Sequence, residues 1–257
     1  MANFLCLLYH YHDNCEGEMQ VLELETIDST NLYAKNNFAS LSDSSVIHAL
    51  RQSSGRGRFD RKWVDLGEGN LFLSIVLKPS LSYMDSIINI TQYMSVVLSN
   101  LFESYGLIPQ IKWPNDVLIN NKKIAGILCE VINEKNEFKG LVLGVGVNLN
   151  ALDSSLGLVT DKSITSLNLE ISRSIDIFSF REQLLSMFFE NYNLFLENGF
   201  EFIKKDYISK LMMINKEISI QVFNEIKSGF VKGVTDSGEL VLENDNKEYV
   251  LTIGDIL

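Results

Sequence analysis

Cysteine, proline and histidine are scarce in this chain, at 3 each in 257 residues. Cys6, Cys15 and Cys129 are odd in number and widely spaced. They do not form a disulfide framework, and a reducing, cytoplasmic compartment is expected. His10 and His12 precede any regular pattern; with Cys15 they resemble a zinc half-site, but no fourth ligand follows at a fitting spacing. Histidine-based catalysis would therefore rest on His48 alone. No run approaches the roughly 18 apolar residues that cross a bilayer as a helix, so no membrane span is expected. The apolar start lacks a positive n-region and a small-residue cleavage site, so it is not a signal peptide. Also missing are a P-loop, a G-x-S-x-G elbow, an H-E-x-x-H pair and a C-x-x-C pair. These absences point away from hydrolases and zinc enzymes.

Positive charge is in deficit too. Lys+Arg total 22 against 33 Asp+Glu, a formal charge of −11. A surface of that sign repels polyanions, which excludes a chain-wide nucleic-acid footprint. The 46% hydrophobic content nevertheless suffices for a real core and excludes a disordered acidic tail. Against this background, four of the six arginines (Arg51, Arg56, Arg58 and Arg61) fall within eleven residues. With Lys62, and against Asp60 alone, residues 51–63 carry +4. That concentration implies local handling of an anion.

Hydrophobic patterning outlines an α/β body and a β tail. Residues 20–25, 45–49 and 70–78 read as strands, the last apolar throughout and so covered on both faces. Asp28-Ser-Thr-Asn31 supplies N-caps for a helix through Leu32, Tyr33 and Phe38. The glycine- and arginine-rich stretch between is a loop. Helical spacing predicts one helix over 84–105, with Gly106 as its C-cap, and further helices over 177–196 and 200–212. Strands are expected over 116–119, 123–131 and 138–147, with Asn120-Asn-Lys as a hairpin signal. Residues 150–163 read as loop. After Asn215 the period shortens to strands at 217–223, 227–235, 239–243 and 248–253, which fit a small barrel. The expected organisation is a leader over 1–18, disordered or untranslated with Met19 as an alternative start, a catalytic domain over 19–213 and a small β domain over 214–257.

Four stretches remain once structural explanations are subtracted. Gln52-Ser-Ser-Gly-Arg-Gly-Arg58 offers accessible backbone N–H groups between two guanidiniums, suited to phosphate or carboxylate, or to weak RNA binding. In Lys112-Trp-Pro-Asn-Asp116 a turn explains Pro-Asn-Asp but not the preceding Lys and Trp. Lys123 heads a small and apolar run, either as a snorkelling edge residue or as an anion ligand. Gly144-Val-Gly-Val-Asn148 lacks dinucleotide-fingerprint spacing, but paired glycines let a flat ligand approach closely.

In order, Ser29-Thr30-Asn31, Gln52 with Gly55-Arg-Gly-Arg58, Arg61-Lys-Trp63, Lys112-Trp-Pro-Asn-Asp116, Lys123-Ile-Ala-Gly-Ile-Leu128 and Gly144-Val-Gly-Val-Asn148 resemble the motifs of the biotin–protein ligases. The set spans residues 29 to 148. The resemblance implies an α/β (α+β) catalytic domain like the class II aminoacyl-tRNA synthetase core, followed by an SH3-like β-barrel. It implies biotin as substrate, ATP with Mg²⁺ as co-substrate and activator, and no tightly bound metal or organic cofactor. Biotin is activated as biotinyl-5′-AMP and passed to a lysine of a biotin carboxyl carrier domain.

Carried onto this chain, the resemblance puts Ser29, Thr30, Asn31 and Gln52 on biotin, sets Gly55 against biotin or adenylate, and makes Arg56, Gly57 and Arg58 a closing loop. Trp63 and Gly126 would also touch biotin or adenylate, and Asn148 would face the adenine. Lys123 would bridge the biotinyl carbonyl and the α-phosphate. Lys112 and Asp116 would lie near the phosphates and the incoming lysine, with Lys123, Arg58, Lys112 and Asp116 as the catalytic set. Asp116 has two readings, a Mg²⁺ ligand or a base for the carrier lysine. Phe59-Asp60 departs from the family's usual loop, which continues with a basic and a small residue. Only 28 residues precede Ser29, too few for the winged helix-turn-helix of some members, so no DNA binding is expected. A monomer and a homodimer both remain open. The competing readings are a lipoate–protein ligase of related fold and an RNA-binding module using residues 51–63.

Overall fold

The computed structural model describes residues 4–9, 19–59, 61–67, 69–151 and 164–256. In chain order the elements are β1 (Phe4–Tyr9), β2 (Met19–Ile27), α1 (Thr30–Asn36), β3 (Val46–Gln52), β4 (Leu71–Leu77), α2 (Met84–Ile87), α3 (Ile90–Ser104), β5 (Pro109–Lys112), β6 (Asp116–Ile119), β7 (Lys122–Glu134) and β8 (Glu137–Val147). There follow α4 (Leu167–Ile171), α5 (Ile177–Asn198), α6 (Phe200–Lys210), β9 (Glu217–Val222), β10 (Glu225–Val234), β11 (Leu240–Asn244), β12 (Lys247–Leu251) and β13 (Asp255–Ile256). The chain divides into two compact units, residues 1–81 with 122–186, and residues 82–121 with 187–257.

The first unit is a sheet in the order β1-β2-β3-β4-β8-β7. Only β2 and β3 run parallel, joined through α1; the other pairs are antiparallel. β4 lies between β3 and β8, and every one of its residues is buried, as its unbroken apolar run predicts. Strand side chains alternate between faces. Leu24, Ile47, Ala49, Val76 and Val142 pack with Ala34, Phe38 and Leu41 around α1.

Glu23 and His48, Cα partners between β2 and β3, are held by Arg181 from α5. Arg181 is fully buried, with ion pairs to Glu23 at 2.6 Å and Glu182 at 2.7 Å. Its Nη1 also lies 3.1 Å from His48 Nδ1. Arginine can only donate, so Nδ1 is the acceptor and the imidazole is the neutral Nε2–H form. Burial, and secondly the Arg181 charge, push the His48 pKa down to about 3.

In the second unit, α3, α6 and the second half of α5 carry the core, with Tyr93 stacked on Phe195 at 4.4 Å between ring centroids. Ile111 of β5 accepts from Met212 N at 3.0 Å. The C-terminal strands form an antiparallel sheet in the order β12-β11-β10-β9-β13. Two buried amides of the α3 region reach its Ser237–Gly238 turn. Asn89 Nδ2 donates to Ser237 O at 2.9 Å, and Gln92 Nε2 donates to Gly238 O at 2.7 Å. Asn89 Nδ2 also donates to Gln92 Oε1.

Three expectations need correction. The helix predicted over 84–105 is two helices, α2 and α3, because Asn89 leaves the helical conformation at φ −98° and ψ 12° and directs its amide to Ser237. Phe4–Tyr9, within the expected unstructured leader, is a strand paired along β2 from Phe4↔Leu24 to Tyr9↔Met19. A short apolar run gains a partner when a neighbouring strand edge is available, which composition alone does not reveal. β5 and α4 were not foreseen; both are short and lack a periodic signal. His10, His12 and Cys15 lie outside the described residues, as does most of the predicted 150–163 loop.

Candidate active site

The polar residues around the start of α1 turn inward. Ser29 is the N-cap, extended at φ −157° and ψ 132°, and its Oγ accepts from Leu32 N at 3.4 Å. Thr30 and Asn31, each about 4% exposed, enter a hydrogen-bonded cluster. Thr30 N and Oγ1 both donate to Gln52 Oε1, at 2.8 and 3.2 Å. Ser74 Oγ lies 2.8 Å from Thr30 Oγ1 and 2.6 Å from Asn31 Oδ1, with one proton to share between them. Asn31 Nδ2 donates to Leu128 O at 3.3 Å and to Glu130 Oε2 at 3.0 Å. Asn31 fits here because Gly144, opposite Ser74, has no side chain to collide with its amide.

Trp63 forms a second cluster. Gly126 and Gly146 are Cα partners on β7 and β8, and the indole lies across both. A Cβ on Gly126 would stand 2.7 Å from Trp63 Cζ3, and one on Gly146 would stand 2.6 Å from Cε2. Real Cβ atoms do not approach that closely, so the paired glycines are the floor on which the ring rests. From the sequence, Gly144 and Gly146 were read as room for a flat ligand; in the fold Gly146 lies under the Trp63 ring and Gly144 beside the Asn31 amide. Lys123 Nζ sits 5.3 Å from the ring centroid, in cation–π range. Trp63 Nε1 is buried and has no hydrogen-bond partner among the described residues. Gly55 joins the two clusters: a Cβ there would meet Trp63 O at 2.6 Å and Gln52 Nε2 at 3.1 Å.

The arginine stretch, expected as an open loop, folds back on itself. Gly57 N donates to Arg61 O at 2.7 Å, Trp63 N donates to Gly55 O at 2.9 Å, and Arg56 bridges Lys62. Phe59 turns the chain at φ 52° and remains 52% exposed, with the Arg58 guanidinium 4.8 Å from its ring centroid. Three of the four arginines have separate partners. Arg51 pairs with Asp65 at 2.7 Å and Arg56 with Glu130 at 3.5 Å, while Arg58 covers Phe59.

Asn148 continues from β8, its N donating to Ile124 O at 2.9 Å. Its side-chain Nδ2 donates to Thr165 O at 3.0 Å, and Thr165 N donates back to Lys123 O at 2.9 Å. Lys112 and Asp116 belong to the second unit, where they are Cα partners across the β5–β6 turn. Lys112 Nζ reaches Ile256 O at 3.4 Å. Ser74 and Glu130 were missed by sequence reasoning. Their only signal is a polar residue on a strand whose neighbours are apolar. Glu130 is half-buried and its carboxyl lies below the ordinary range: burial opposes ionisation, but hydrogen bonds from Lys35 and Asn31 and the charges of Lys35 and Arg56 outweigh it.

These features define an α/β domain that presents a buried polar cluster beside a cationic, glycine-floored aromatic platform, suited to a small acid with an anionic end. Residues 23–148, just under half of the chain, match the family model described as the Biotin/lipoate A/B protein ligase family. It is 29% identical over 241 residues to the biotin–[acetyl-CoA-carboxylase] ligase of Paracoccus denitrificans, covering 91% of this chain and 98% of that protein. It is 28% identical over 204 residues to the bifunctional ligase/repressor BirA of Bacillus subtilis, covering 79% of this chain and 62% of that relative. The chain thus matches less than two thirds of the Bacillus protein's length. The biotin protein ligase of Aquifex aeolicus, solved in complex with biotin and ATP, shares the fold at a TM-score of 0.79 and 24% identity, with 92% of this chain and 97% of that one aligned.

Proposed function

We propose that the protein is an ATP-dependent biotin–protein ligase. The observation that carries the reading is the Trp63 platform: a buried indole N–H without a partner among the described residues, a lysine ammonium over the same ring and a glycine floor beneath it. The names of the relatives support the same activity. In the first half-reaction a biotin carboxylate oxygen attacks the α-phosphorus of ATP. The α,β-bridging bond breaks, and pyrophosphate leaves. In the second, an uncharged lysine amine of a biotin carboxyl carrier domain attacks the acyl carbon, AMP leaves and the nitrogen loses a proton. Both steps build negative charge on phosphate oxygens, which positioned cations and N–H groups stabilise.

Within this reading Ser29, Thr30, Asn31 and Gln52 hold the bicyclic end of biotin, and Trp63 and Gly126 flank its chain. Lys123 neutralises the carboxylate and then the α-phosphate. Gly55, Arg56, Gly57 and Arg58 close over the intermediate, and Asn148 faces the adenine. Lys112 and Asp116 serve the phosphates and the incoming lysine. Among the described residues no group of three or more His, Cys, Asp or Glu could hold a metal ion. The Asp116 carboxylate suits a magnesium ion that arrives with the nucleotide, since Mg²⁺ commonly takes one or two carboxylates plus substrate phosphates. Such an ion would neutralise phosphate charge. The antiparallel order of the C-terminal strands, with β13 returning to β9, supports an SH3-like barrel over 214–257, behind a synthetase-like catalytic domain over 19–213. No helix among the described residues is long and apolar enough to cross a membrane. We infer a cytoplasmic setting, in which acceptor carriers and ATP are both at hand.

Incubation with ATP and either biotin or lipoate, followed by chromatography for the acyl-AMP, tests the reading. Biotinyl-AMP that is consumed on adding a carrier domain is expected. Absence of biotinyl-AMP, or preference for lipoate, overturns it.

A further inference from the structure

We propose that Glu130 is a positioning residue that sets Asn31 and Arg56 in place before the acid binds. It rests on the ligase reading above for its kinetic consequence, and on geometry alone for its structural one. A single carboxylate on β7 collects three donors, two from α1 and one from the arginine-rich loop. Lys35 Nζ of α1 lies 2.7 Å from Oε1, Arg56 Nη1 of the loop lies 3.5 Å from the same oxygen, and Asn31 Nδ2 lies 3.0 Å from Oε2.

A carboxylate in this place needs a reason. The Arg56 guanidinium beside it suits an anionic ligand, and a fixed negative charge at that place opposes the ligand's entry. Glu130 is only 16% exposed at its side chain, so water does not remove that cost. What it provides is orientation. Asn31 Oδ1 lies at the Ser74 hydroxyl, so the amide is held at both ends only if Nδ2 faces Glu130. A flipped amide would set its NH₂ against Ser74 and its oxygen against the carboxylate. Arg56 is held differently. At 3.5 Å the pair is longer than a strong charge-assisted hydrogen bond, so the loop is tethered without being locked. Lys35, at 2.7 Å, remains as counter-ion if Arg56 moves to a bound anion. The carboxylate thus restrains the arginine in the unliganded protein and stays neutralised after releasing it.

The test uses the full chain and the variants Glu130→Gln and Glu130→Asp. Glutamine keeps the shape but removes the charge, and it cannot accept at both ends. In Glu130→Gln the KM for biotin should rise about tenfold, or about 1.4 kcal/mol, with kcat within about threefold of wild type. Amide hydrogen exchange at Gly57, Arg61 and Trp63, measured without ligand, should quicken, because the loop loses its tether. Glu130→Asp keeps the charge and should recover part of both effects; it also serves if the glutamine variant folds poorly. A residue with a merely structural role would lower the melting temperature and leave KM and loop exchange in place. Loop exchange at the wild-type rate in Glu130→Gln overturns the proposal. Failure of the wild-type protein to form biotinyl-AMP would overturn the ligase reading instead, and the exchange measurement would still decide the role of Glu130.

Discussion

Alanine at Gly126 drives a methyl group into the Trp63 indole, and the cost can be worked out and isolated. The new Cβ would stand 2.7 Å from Cζ3 and 3.1 Å from Lys123 Nζ, against about 3.5–4.0 Å for comfortable carbon contact. The ring must lift by about 1 Å or the strand must yield. Overpacking of this kind costs about 1–3 kcal/mol. Gly126 does not have a positive φ, so alanine fits the backbone and even recovers about 0.5–1 kcal/mol of strand propensity. The single variant therefore understates the clash. A double-mutant cycle with Trp63→Ala, read by urea unfolding, removes the propensity contribution from both sides. Gly126→Ala should be destabilising or neutral in the parent and stabilising once the indole is gone, with a coupling of about 1–3 kcal/mol. In the parent background, biotin turnover should fall as the platform shifts beneath Lys123. A coupling below about 0.5 kcal/mol would refute the packing argument.

Other outcomes follow from the same geometry. Arg181→Met leaves Glu23 and Glu182 without their buried partner and should cost about 2–4 kcal/mol in denaturant unfolding; a loss under 1 kcal/mol would show that the ion cluster is incidental. Since the folded His48 pKa is depressed to about 3, the unfolded chain takes up a proton first as pH falls below about 6.5. The stability held above that pH should therefore drop by about 2 kcal/mol by pH 5, and His48→Gln should flatten this slope; an equally steep slope in the variant would reject the assignment. Arg58→Ala should release biotinyl-AMP several-fold faster, measured as intermediate lifetime after rapid gel filtration, and a wild-type lifetime would remove Arg58 from the closing loop. Asp116→Asn separates the two roles left for that carboxylate: slowed transfer from preformed adenylate marks a base, whereas impaired adenylation with normal transfer marks metal binding.

Strong periodic signals gave an accurate outline of the fold. The apolar run of β4, the amphipathic α5 and the short C-terminal strands all stand where patterning put them, because burial of one face dictates their period. Elements without a period escaped notice: β5 has 4 residues and α4 has 5, and both depend on tertiary partners. Type and spacing singled out Thr30 and Gln52, which the fold joins by hydrogen bonds, but did not foresee Trp63 resting on Gly126 and Gly146. Ser74 and Glu130 were not singled out, since their role comes from which strand lies opposite, a fact of register rather than of local sequence. The arginine cluster shows the same limit. Summed charge suggested one anion patch, but the fold assigns Arg51 to Asp65 and Arg56 to Glu130.

The two amides that hold the Ser237–Gly238 turn bear on how this protein could be taken apart. Asn89 and Gln92 are 4% and 6% exposed, and each donates to a carbonyl of that turn. A chain cut after residue 213 would strand both donors at a newly opened surface, at roughly 1–3 kcal/mol for each one that water fails to satisfy. The last forty-odd residues are thus not a bead on a string that a gene fusion could exchange freely. Any transplanted replacement would have to offer two carbonyls at the same spacing, so the α3 region and the β tail are expected to be inherited together.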